Sequence, residues 1–215
     1  GRRTVAVRMP RHPTALALIR KVGEPIAAPS ANRSGRPSPT TAAHALKDLK
    51  GRVSLILDGG PCRKGLESTI VDARGRRPVL LRPGTITTDA LARAAGTAVK
   101  EPGRSAPAAP GARHRHYAPS CRVVLVAASL IRRGAVPGLD RPGAGIVHRS
   151  ARPRRALAFA RHVPGGVSLY ARGLFGALRD AEDAGVRTLF VETVRERGVG
   201  RAVMDRLRRA AEAGA

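Results

Sequence analysis

Hydroxyl and amide side chains are concentrated in one stretch, PIAAPSANRSGRPSPTT, at residues 25–41. Ser30, Asn32, Ser34 and Ser38 offer hydrogen-bonding groups there without a fixed charge. A loop that follows a short apolar segment is a common place for binding residues, so this stretch is a candidate polar cradle for a ligand. The same residue types are ordinary turn formers, and a purely structural role, with Ser38 as the N-cap of a helix, stays open.

Two glycine patterns come near to nucleotide-binding motifs without matching them. The sequence GPCRKG at residues 60–65 is followed by Leu66, where a P-loop needs lysine. Gly198 and Gly200 lack the third glycine of a dinucleotide-binding fingerprint. Both patterns therefore indicate turns or helix starts. The sequence HRHY, ending at Tyr117, has no carboxylate or thiolate nearby, so contact with a phosphate suits it better than a metal.

Composition narrows the classes of partner. Lys and Arg number 40 against 15 Asp and Glu, and the formal net charge of +25 favours polyanions such as nucleotides or RNA, although biased coding composition is an alternative explanation. Aromatic residues make up 2% of the chain, too few for a base-stacking platform. Cys62 and Cys121 indicate buried thiols in a reducing cytoplasm. No apolar run approaches the roughly 18 residues of a membrane span, which argues against a membrane partner.

The elements that must position these groups alternate along the chain, which predicts an α/β fold. We expect strands at residues 4–9, 25–28, 53–57, 68–71, 78–81, 123–127, 146–147 and 186–192. We expect helices at residues 12–22, 39–49, 88–95, 154–162, 170–184 and 199–211. Residues 97–119 have no hydrophobic period and are typical of a linker. The predicted division is a domain at 1–96, a linker at 97–119 and a second domain at 120–215.

Four strings, TVAVRMPRHP, PIAAPSANRSGRPSPTT, LDGGPCRKGLESTIVD and LLRPGTIT, resemble in order and spacing the YrdC/Sua5 family of threonylcarbamoyl-AMP synthases. HRHYAP resembles the interdomain motif of that family, and GVGRAVMDRLRRAA resembles the end of the Sua5 domain of its longer members. The resemblance implies the C-terminal part of a YrdC-like twisted mixed-sheet domain, a linker, and a small Rossmann-like three-layer α/β Sua5 domain. The threonine-binding and Lys-x-Arg motifs of the family's first half do not occur here, so we expect an N-terminally incomplete YrdC domain and doubtful activity of this chain alone.

The resemblance implies the activity of an L-threonylcarbamoyladenylate synthase. This nucleotidyltransferase joins L-threonine, bicarbonate and ATP into threonylcarbamoyl-AMP and pyrophosphate. A separate threonylcarbamoyl transferase complex then uses the product to form the t6A nucleoside of tRNA, in the cytoplasm. ATP would be a substrate, Mg²⁺ is expected with the nucleotide, and no tightly bound cofactor or protein metal site is implied. The alternative is a basic module that binds double-stranded RNA or tRNA without catalysis.

The resemblance also implies roles for individual residues, with no covalent catalytic residue among them. The ATP-binding positions are Thr4, Ser30, Ser38, Arg82 and Tyr117. The threonine-binding positions are Arg8, Ala28 through its backbone, and Ser68, and we add Asn32 and His116 beside these sets. An arginine can pair bidentately with a carboxylate or phosphate, which suits Arg8 and Arg82. Tyr117 could close over the nucleotide, so that the linker would act as a lid.

Overall fold

The computed structural model describes residues 4–103, 109, 117–150, 157 and 159–212. The described elements are, in chain order, α1 (Pro13–Val22), α2 (Ala42–Leu49), β1 (Ile70–Asp72), β2 (Val79–Arg82), α3 (Thr88–Ala95), β3 (Arg122–Val126), α4 (Ala128–Arg133), β4 (Ala144–His148), β5 (Phe159–His162), α5 (Val167–Asp183), β6 (Thr188–Glu192) and α6 (Val199–Glu212). Strands β3 to β6 form a parallel sheet in the order β3-β6-β4-β5.

Helices cover both faces of this parallel sheet. Successive side chains of a strand point to opposite faces, and β6 accordingly contributes Leu189 to a core that it shares with α5 and α6. The next residue, Phe190, belongs to a second core with Ile131 of α4. Strand β4 is buried along its whole length, as expected for a parallel strand covered on both sides. The predicted small three-layer α/β unit is confirmed.

The first half contains a smaller sheet. Strands β1 and β2 are antiparallel, with Val71 opposite Leu80, and Val79 forms an isolated parallel bridge with Lys100. The mixed-sheet character expected of this half is therefore present. The predicted helix α3 is confirmed at both ends, because the Thr87 side chain caps its start and Gly96 ends it in the left-handed conformation.

Three predicted strands are wrong. Residues 4–9, 25–28 and 53–57 have extended or irregular backbone but no ladder partner within the described part of the chain. Their apolar side chains are largely exposed, with Val7 at 89% and Leu55 at 74%. Alternating β-branched residues suit a strand, but a strand also needs a neighbour for its backbone hydrogen bonds.

Two helix predictions are also corrected. The helix expected from Pro39 begins at Ala42, and Thr41, not Ser38, caps it by accepting a hydrogen bond from the His44 backbone N–H at 3.3 Å. The helix expected at 154–162 is wrong, because Phe159–His162 is strand β5 paired with β4. Residues 154–156 and 158 lie outside the described residues. The sequence did not reveal α4, whose six residues are too few to display a helical period.

Buried charges join α5 to α2 and to the polar stretch at residues 25–41, called the polar loop from here on. Arg179 of α5 donates to the Pro37 carbonyl at 2.6 Å and to Asp48 Oδ2 at 2.7 Å. Arg36 donates to the other oxygen of Asp48 at 2.7 Å and also bonds Glu182. The side chain of Asp48 is 0% exposed and that of Arg179 is 2% exposed. Burial alone would raise the pKa of Asp48, but the bond and charge of Arg179 and the charge of Arg36 lower it below the usual value.

Candidate functional site

Two arginines converge on Ser68, just before β1. Arg82, at the end of β2, donates to the Ser68 carbonyl from Nε at 3.1 Å and from Nη2 at 2.9 Å. Arg8 approaches the Ser68 hydroxyl from the N-terminal segment, with Nη1 3.4 Å from Oγ. A strand end, a loop and a distant segment thus bring two guanidinium groups to one serine. Two such groups can bind carboxylate or phosphate oxygens.

Gly84 permits the close approach of the segment after β2 to Ser68. A Cβ atom built on Gly84 would lie 2.2 Å from the Thr69 backbone nitrogen and 2.7 Å from the Ser68 carbonyl carbon. No side chain fits at this position unless the backbone shifts. The hydroxyl of Thr69 bridges the same junction by donating to the Ile86 carbonyl at 2.7 Å and accepting from the Ile86 N–H at 3.2 Å.

Glu67 links the polar loop to α6. Its Oε1 accepts a hydrogen bond from Ser38 Oγ at 2.6 Å, and its Oε2 accepts one from Arg206 Nε at 3.1 Å. Ser38 therefore contacts the carboxylate next to Ser68 and does not cap α2. This contact places Ser38 beside the arginine pair described above.

Tyr117 closes one side of a cluster that also contains Arg8, Ser38, Glu67, Ser68, Arg82 and Arg206. Its side chain is buried, with 4% exposure for the residue, and its ring stacks on Phe175 with centroids 5.4 Å apart. The Arg206 guanidinium carbon lies 5.6 Å from the Tyr117 ring centroid, within the range of a cation–π contact. The next residue, Ala118, donates its N–H to the Gly35 carbonyl at 3.0 Å. The polar loop and the segment at Tyr117 are therefore joined directly.

Tyr117 also has an unusual backbone. Its φ is +67°, and it is the non-glycine residue with positive φ in the described part of the chain. Bulky residues rarely adopt this region, which marks a conformation that surrounding contacts maintain. The stacking on Phe175 and the bond of Ala118 to Gly35 are such contacts.

Charges in the cluster alter two pKa values. Burial, followed by the charge of Arg206, lowers the pKa of Arg82, although Tyr117 and Glu67 act in the opposite direction. Arginine titrates so far above neutrality that Arg82 remains cationic. Burial, with the charge of Glu67, raises the pKa of Tyr117 despite nearby arginines. The cluster at neutral pH therefore presents a neutral phenol beside fixed positive charges.

The structure brings together five of the predicted site residues: Arg8, Ser38, Ser68, Arg82 and Tyr117. Thr4 is half-buried, whereas Ala28 and Ser30 are exposed, and the described side-chain hydrogen bonds do not connect these three to the cluster. His116 lies outside the described residues.

Asn32 shapes the polar loop from within. Its side-chain nitrogen donates to the Arg33 carbonyl at 2.8 Å and to the Arg36 carbonyl at 3.2 Å. Its Oδ1 is buried and has no hydrogen-bond partner among the described residues. Asn32 therefore has a clear role in the turn, and its Oδ1 retains the capacity to accept a further hydrogen bond.

Other predicted features have structural outcomes. The GPCRKG segment is an irregular loop with bends and starts no helix; at its beginning Gly60 has φ of +81° and its N–H donates to Asp58 at 2.8 Å. Gly198 precedes α6, as expected of a helix start. Cys121 is a buried free thiol, as expected, but Cys62 is exposed, so that prediction is wrong. Cys62 lies in this glycine-bounded surface loop and on no core-facing element.

Two residues of the cluster, Glu67 and Arg206, are absent from our predicted site. Glu67 stands within the quoted string LDGGPCRKGLESTIVD, directly before Ser68, and that adjacency was the available signal. Arg206 is 139 residues further along the chain than Glu67. Its helical position indicates only a cation near the C-terminal end of a helix, so sequence alone gave no signal for its contact with Glu67.

Family models match both halves of the chain. One model, described as "Telomere recombination" and named for Sua5, YciO and YrdC, matches residues 1–84. A second, described as "Threonylcarbamoyl-AMP synthase, C-terminal domain", matches residues 86–212, which is more than half of the chain. The chain belongs to the Sua5 family. The family resemblance noted in the sequence is thereby confirmed.

Named relatives agree with this membership. The Sua5-family chain is 39% identical to the threonylcarbamoyl-AMP synthase of Bacillus subtilis over 221 residues, covering 98% of this chain and 64% of that protein. It is 40% identical to the Pyrococcus abyssi enzyme of the same name over 222 residues, again with 98% and 64% coverage. The chain thus spans 64% of the length of these relatives.

A solved structure supports the fold assignment. The crystal structure of P. abyssi Sua5 complexed with L-threonine superposes with a TM-score of 0.85 at 40% identity, covering 97% of this chain and 64% of that one. The predicted fold class is therefore confirmed for the Sua5-family chain. None of the described helices is both long and apolar enough to cross a membrane.

Proposed function

We propose that this chain forms part of an L-threonylcarbamoyladenylate synthase, which produces threonylcarbamoyl-AMP and pyrophosphate from L-threonine, bicarbonate and ATP. The observation that carries the proposal is the convergence of Arg8 and Arg82 on Ser68, next to the Ser38–Glu67 pair. Relatives named threonylcarbamoyl-AMP synthase at about 40% identity support the reaction class.

Arg82, Ser38 and Tyr117 form the nucleotide side of the proposed site. Arg82 supplies a fixed positive charge for the phosphates, and the Ser38 hydroxyl adds a hydrogen bond without a further charge. Thr4 and Ser30 remain proposed ATP contacts on the grounds of family resemblance. Tyr117 borders both the polar loop and α6, a position suited to a lid over the nucleotide.

Arg8 and Ser68 form the proposed threonine side, with the backbone at Ala28 and, more loosely, Asn32. Arg8 is exposed and near the Ser68 hydroxyl, so its guanidinium can turn to pair with an amino-acid carboxylate. The relative whose structure contains L-threonine makes this amino acid the first ligand to test. His116 is proposed as a phosphate contact from its position in HRHY.

These residues would accelerate the reaction by positioning and by charge. The carboxylated amino group of threonine must lie in line with the α-phosphate of ATP, and holding both reactants in this geometry removes much of the entropic barrier. The charge of Arg82 stabilises the negative charge that develops on the phosphate oxygens as pyrophosphate leaves. No covalent intermediate with the protein is required.

The site suits a Mg²⁺ ion that arrives with the nucleotide. The nearby carboxylate, Glu67, is bonded to Ser38 and Arg206, and the described residues contain no group of three or more His, Cys, Asp or Glu that could hold a metal. Mg²⁺ usually binds substrate phosphates and keeps several waters. The ion would neutralise part of the phosphate charge, while the protein supplies the arginines.

The proposed product would pass, in the cytoplasm, to a transferase complex that modifies tRNA. The second candidate function is a basic module that binds double-stranded RNA or tRNA without catalysis. The net charge of +25 favours that candidate, whereas the convergence of Arg8 and Arg82 on one serine favours the synthase. The predicted division at residues 96 and 119 remains a prediction.

The test measures pyrophosphate release from ATP, with and without threonine and bicarbonate. We expect little release from this chain alone, and threonine-dependent release when it is fused to the part of the P. abyssi relative that it does not match. Arg82→Ala in that fusion should lower release about a hundredfold, as removal of one charge-stabilising group commonly does.

Arg74→Ala is the matched control, since Arg74 lies in the connection between β1 and β2, has a side chain that is 64% exposed and pairs with Asp72. Its release should stay within about twofold of the parent fusion, as expected for an exposed ion pair. The synthase proposal would be contradicted if pyrophosphate release did not depend on threonine, or if the fusion released no pyrophosphate.

A further inference from the structure

Arg206 is a buried cation that reaches the cluster from α6. The residue is 1% exposed. Its Nε donates to Glu67 at 3.1 Å, and its Nη1 donates to the Pro83 carbonyl at 2.8 Å and to Asp205 at 2.7 Å. Pro83 is the neighbour of Arg82 in the chain. The Arg206 guanidinium thus contacts the residue next to Arg82, the Glu67 carboxylate that also bonds Ser38, and the face of the Tyr117 ring.

The remaining nitrogen of this group, Nη2, is buried and has no hydrogen-bond partner among the described residues. Buried polar atoms are nearly always bonded, and leaving a donor unpaired is costly, especially on a charged group. The Tyr117 ring compensates only in part. The Arg206 guanidinium therefore has one donor without an acceptor among the described residues, while its charge is paired with Glu67 and Asp205.

Positive charge is in excess around Arg206. The carboxylate of Asp205 is shared with Arg209, which donates to it at 3.4 Å. The carboxylate of Glu67 is shared with Ser38. The charge of Arg206 also acts on Arg82, whose pKa it lowers after the larger effect of burial. A polyanion bound next to Arg82 would therefore be attracted by the positive charges of both Arg82 and Arg206.

We propose that Arg206 is an electrostatic residue of the nucleotide site, whose charge adds to that of Arg82 in attracting a triphosphate, and that Glu67 limits this attraction by neutralising Arg206. The identification of the anion as ATP rests on the proposed function. Since Nη2 is enclosed, Arg206 would act on the triphosphate through its charge and not through a direct hydrogen bond. It makes α6, in the second half of the chain, part of nucleotide recognition.

The experiment titrates pyrophosphate, and then ATP, into this chain and four variants by calorimetry at fixed ionic strength. Arg206→Met removes the charge and keeps apolar volume, and it should weaken pyrophosphate binding about tenfold, as expected for loss of one nearby charge. Arg206→Lys keeps the charge but loses the fork, and its affinity should stay within about threefold of the parent. Glu67→Gln keeps an oxygen that can accept from Arg206 and an N–H that can donate to the Ser38 hydroxyl, but it removes the opposing charge, so binding should become about threefold tighter.

Arg208→Met is the matched control for the general positive charge of the chain. Arg208 lies on the same helix, is 47% exposed and pairs with Glu196, so its loss should change pyrophosphate affinity by less than about twofold. Thermal unfolding of each variant shows whether the fold is retained. If Arg206→Met does not fold, the test rests on the other two variants, with parent-like binding expected for Arg206→Lys and tighter binding expected for Glu67→Gln.

A purely structural clamp gives a different result. In that case Arg206→Lys would bind pyrophosphate as weakly as Arg206→Met, and Glu67→Gln would bind it more weakly than the parent. Either result overturns the inference, as does parent-like binding by Arg206→Met. Failure of the proposed function is seen separately: the charge effects on pyrophosphate binding would persist, while the fusion described above would show no threonine-dependent release of pyrophosphate.

Discussion

Gly84 illustrates how a single residue can control the candidate site. A methyl group on Gly84 would overlap the backbone at Ser68 and Thr69, and the backbone cannot rotate away as a flexible side chain can. We expect Gly84→Ala to lower the free energy of unfolding by about 3 kcal/mol, the upper range for overpacking. Urea unfolding measures this change. Gly103→Ala is the control because a Cβ there meets nothing within 4 Å, and equal stability of the two variants would contradict the prediction.

At the same scale, the predictable residues were those within local motifs. Ser68 and Arg82 stand in LDGGPCRKGLESTIVD and LLRPGTIT, and the structure joins them. The link from Glu67 to Arg206 spans 139 residues and depends on how α6 packs. Periodicity reveals which face of a helix is buried but not which distant side chain it meets. Arg206 could therefore not be found from its own neighbourhood in the sequence.

The junction of α2 with α5 depends on Asp48. Replacing it with Asn would leave Arg179 buried with a weaker partner, and loss of one member of a buried ion pair is strongly destabilising. We expect Asp48→Asn to lower the free energy of unfolding by about 3 kcal/mol at pH 7, measured by urea unfolding. Asp183→Asn, which removes an ion pair with Lys47 whose side chains are 49% and 46% exposed, should cost less than about 1 kcal/mol.

Acid should abolish this difference. The pKa of Asp48 is lower in the folded chain than its ordinary value of 3.8, so its stabilising effect is complete above that value and disappears as the pH falls through the folded pKa. Unfolding curves between neutral and acidic pH should therefore converge for the parent and Asp48→Asn. A constant gap down to the lowest accessible pH would show that Asp48 does not act through its charge.

Among the elements, the sequence predicted those with local signals. Helix α3 has a cap, a period and a terminal glycine, and α5 has five apolar residues on one face, so both were found within a few residues of their bounds. The segments 4–9 and 53–57 have equally good strand composition, but strand pairing is non-local and the described residues provide no partner. The sequence predicts a helix where β5 lies, because only the pairing with β4 defines this strand.

On the scale of the whole molecule, the net charge of +25 makes contact with tRNA a testable consequence. Binding that rests on arginine–phosphate pairs releases counterions, so affinity should fall about a hundredfold between roughly 50 mM and 200 mM salt. Fluorescence anisotropy with labelled tRNA measures this, and double-stranded DNA of similar length is the control for unselective attraction. If the chain is only a basic module, threonine and ATP should leave its affinity for tRNA unchanged. If it is part of a synthase, pyrophosphate release should require both threonine and ATP. If tRNA affinity does not change over this salt range, the prediction of an electrostatic tRNA interface is wrong. Contacts with nucleotides would then be expected only at the residues around Arg82.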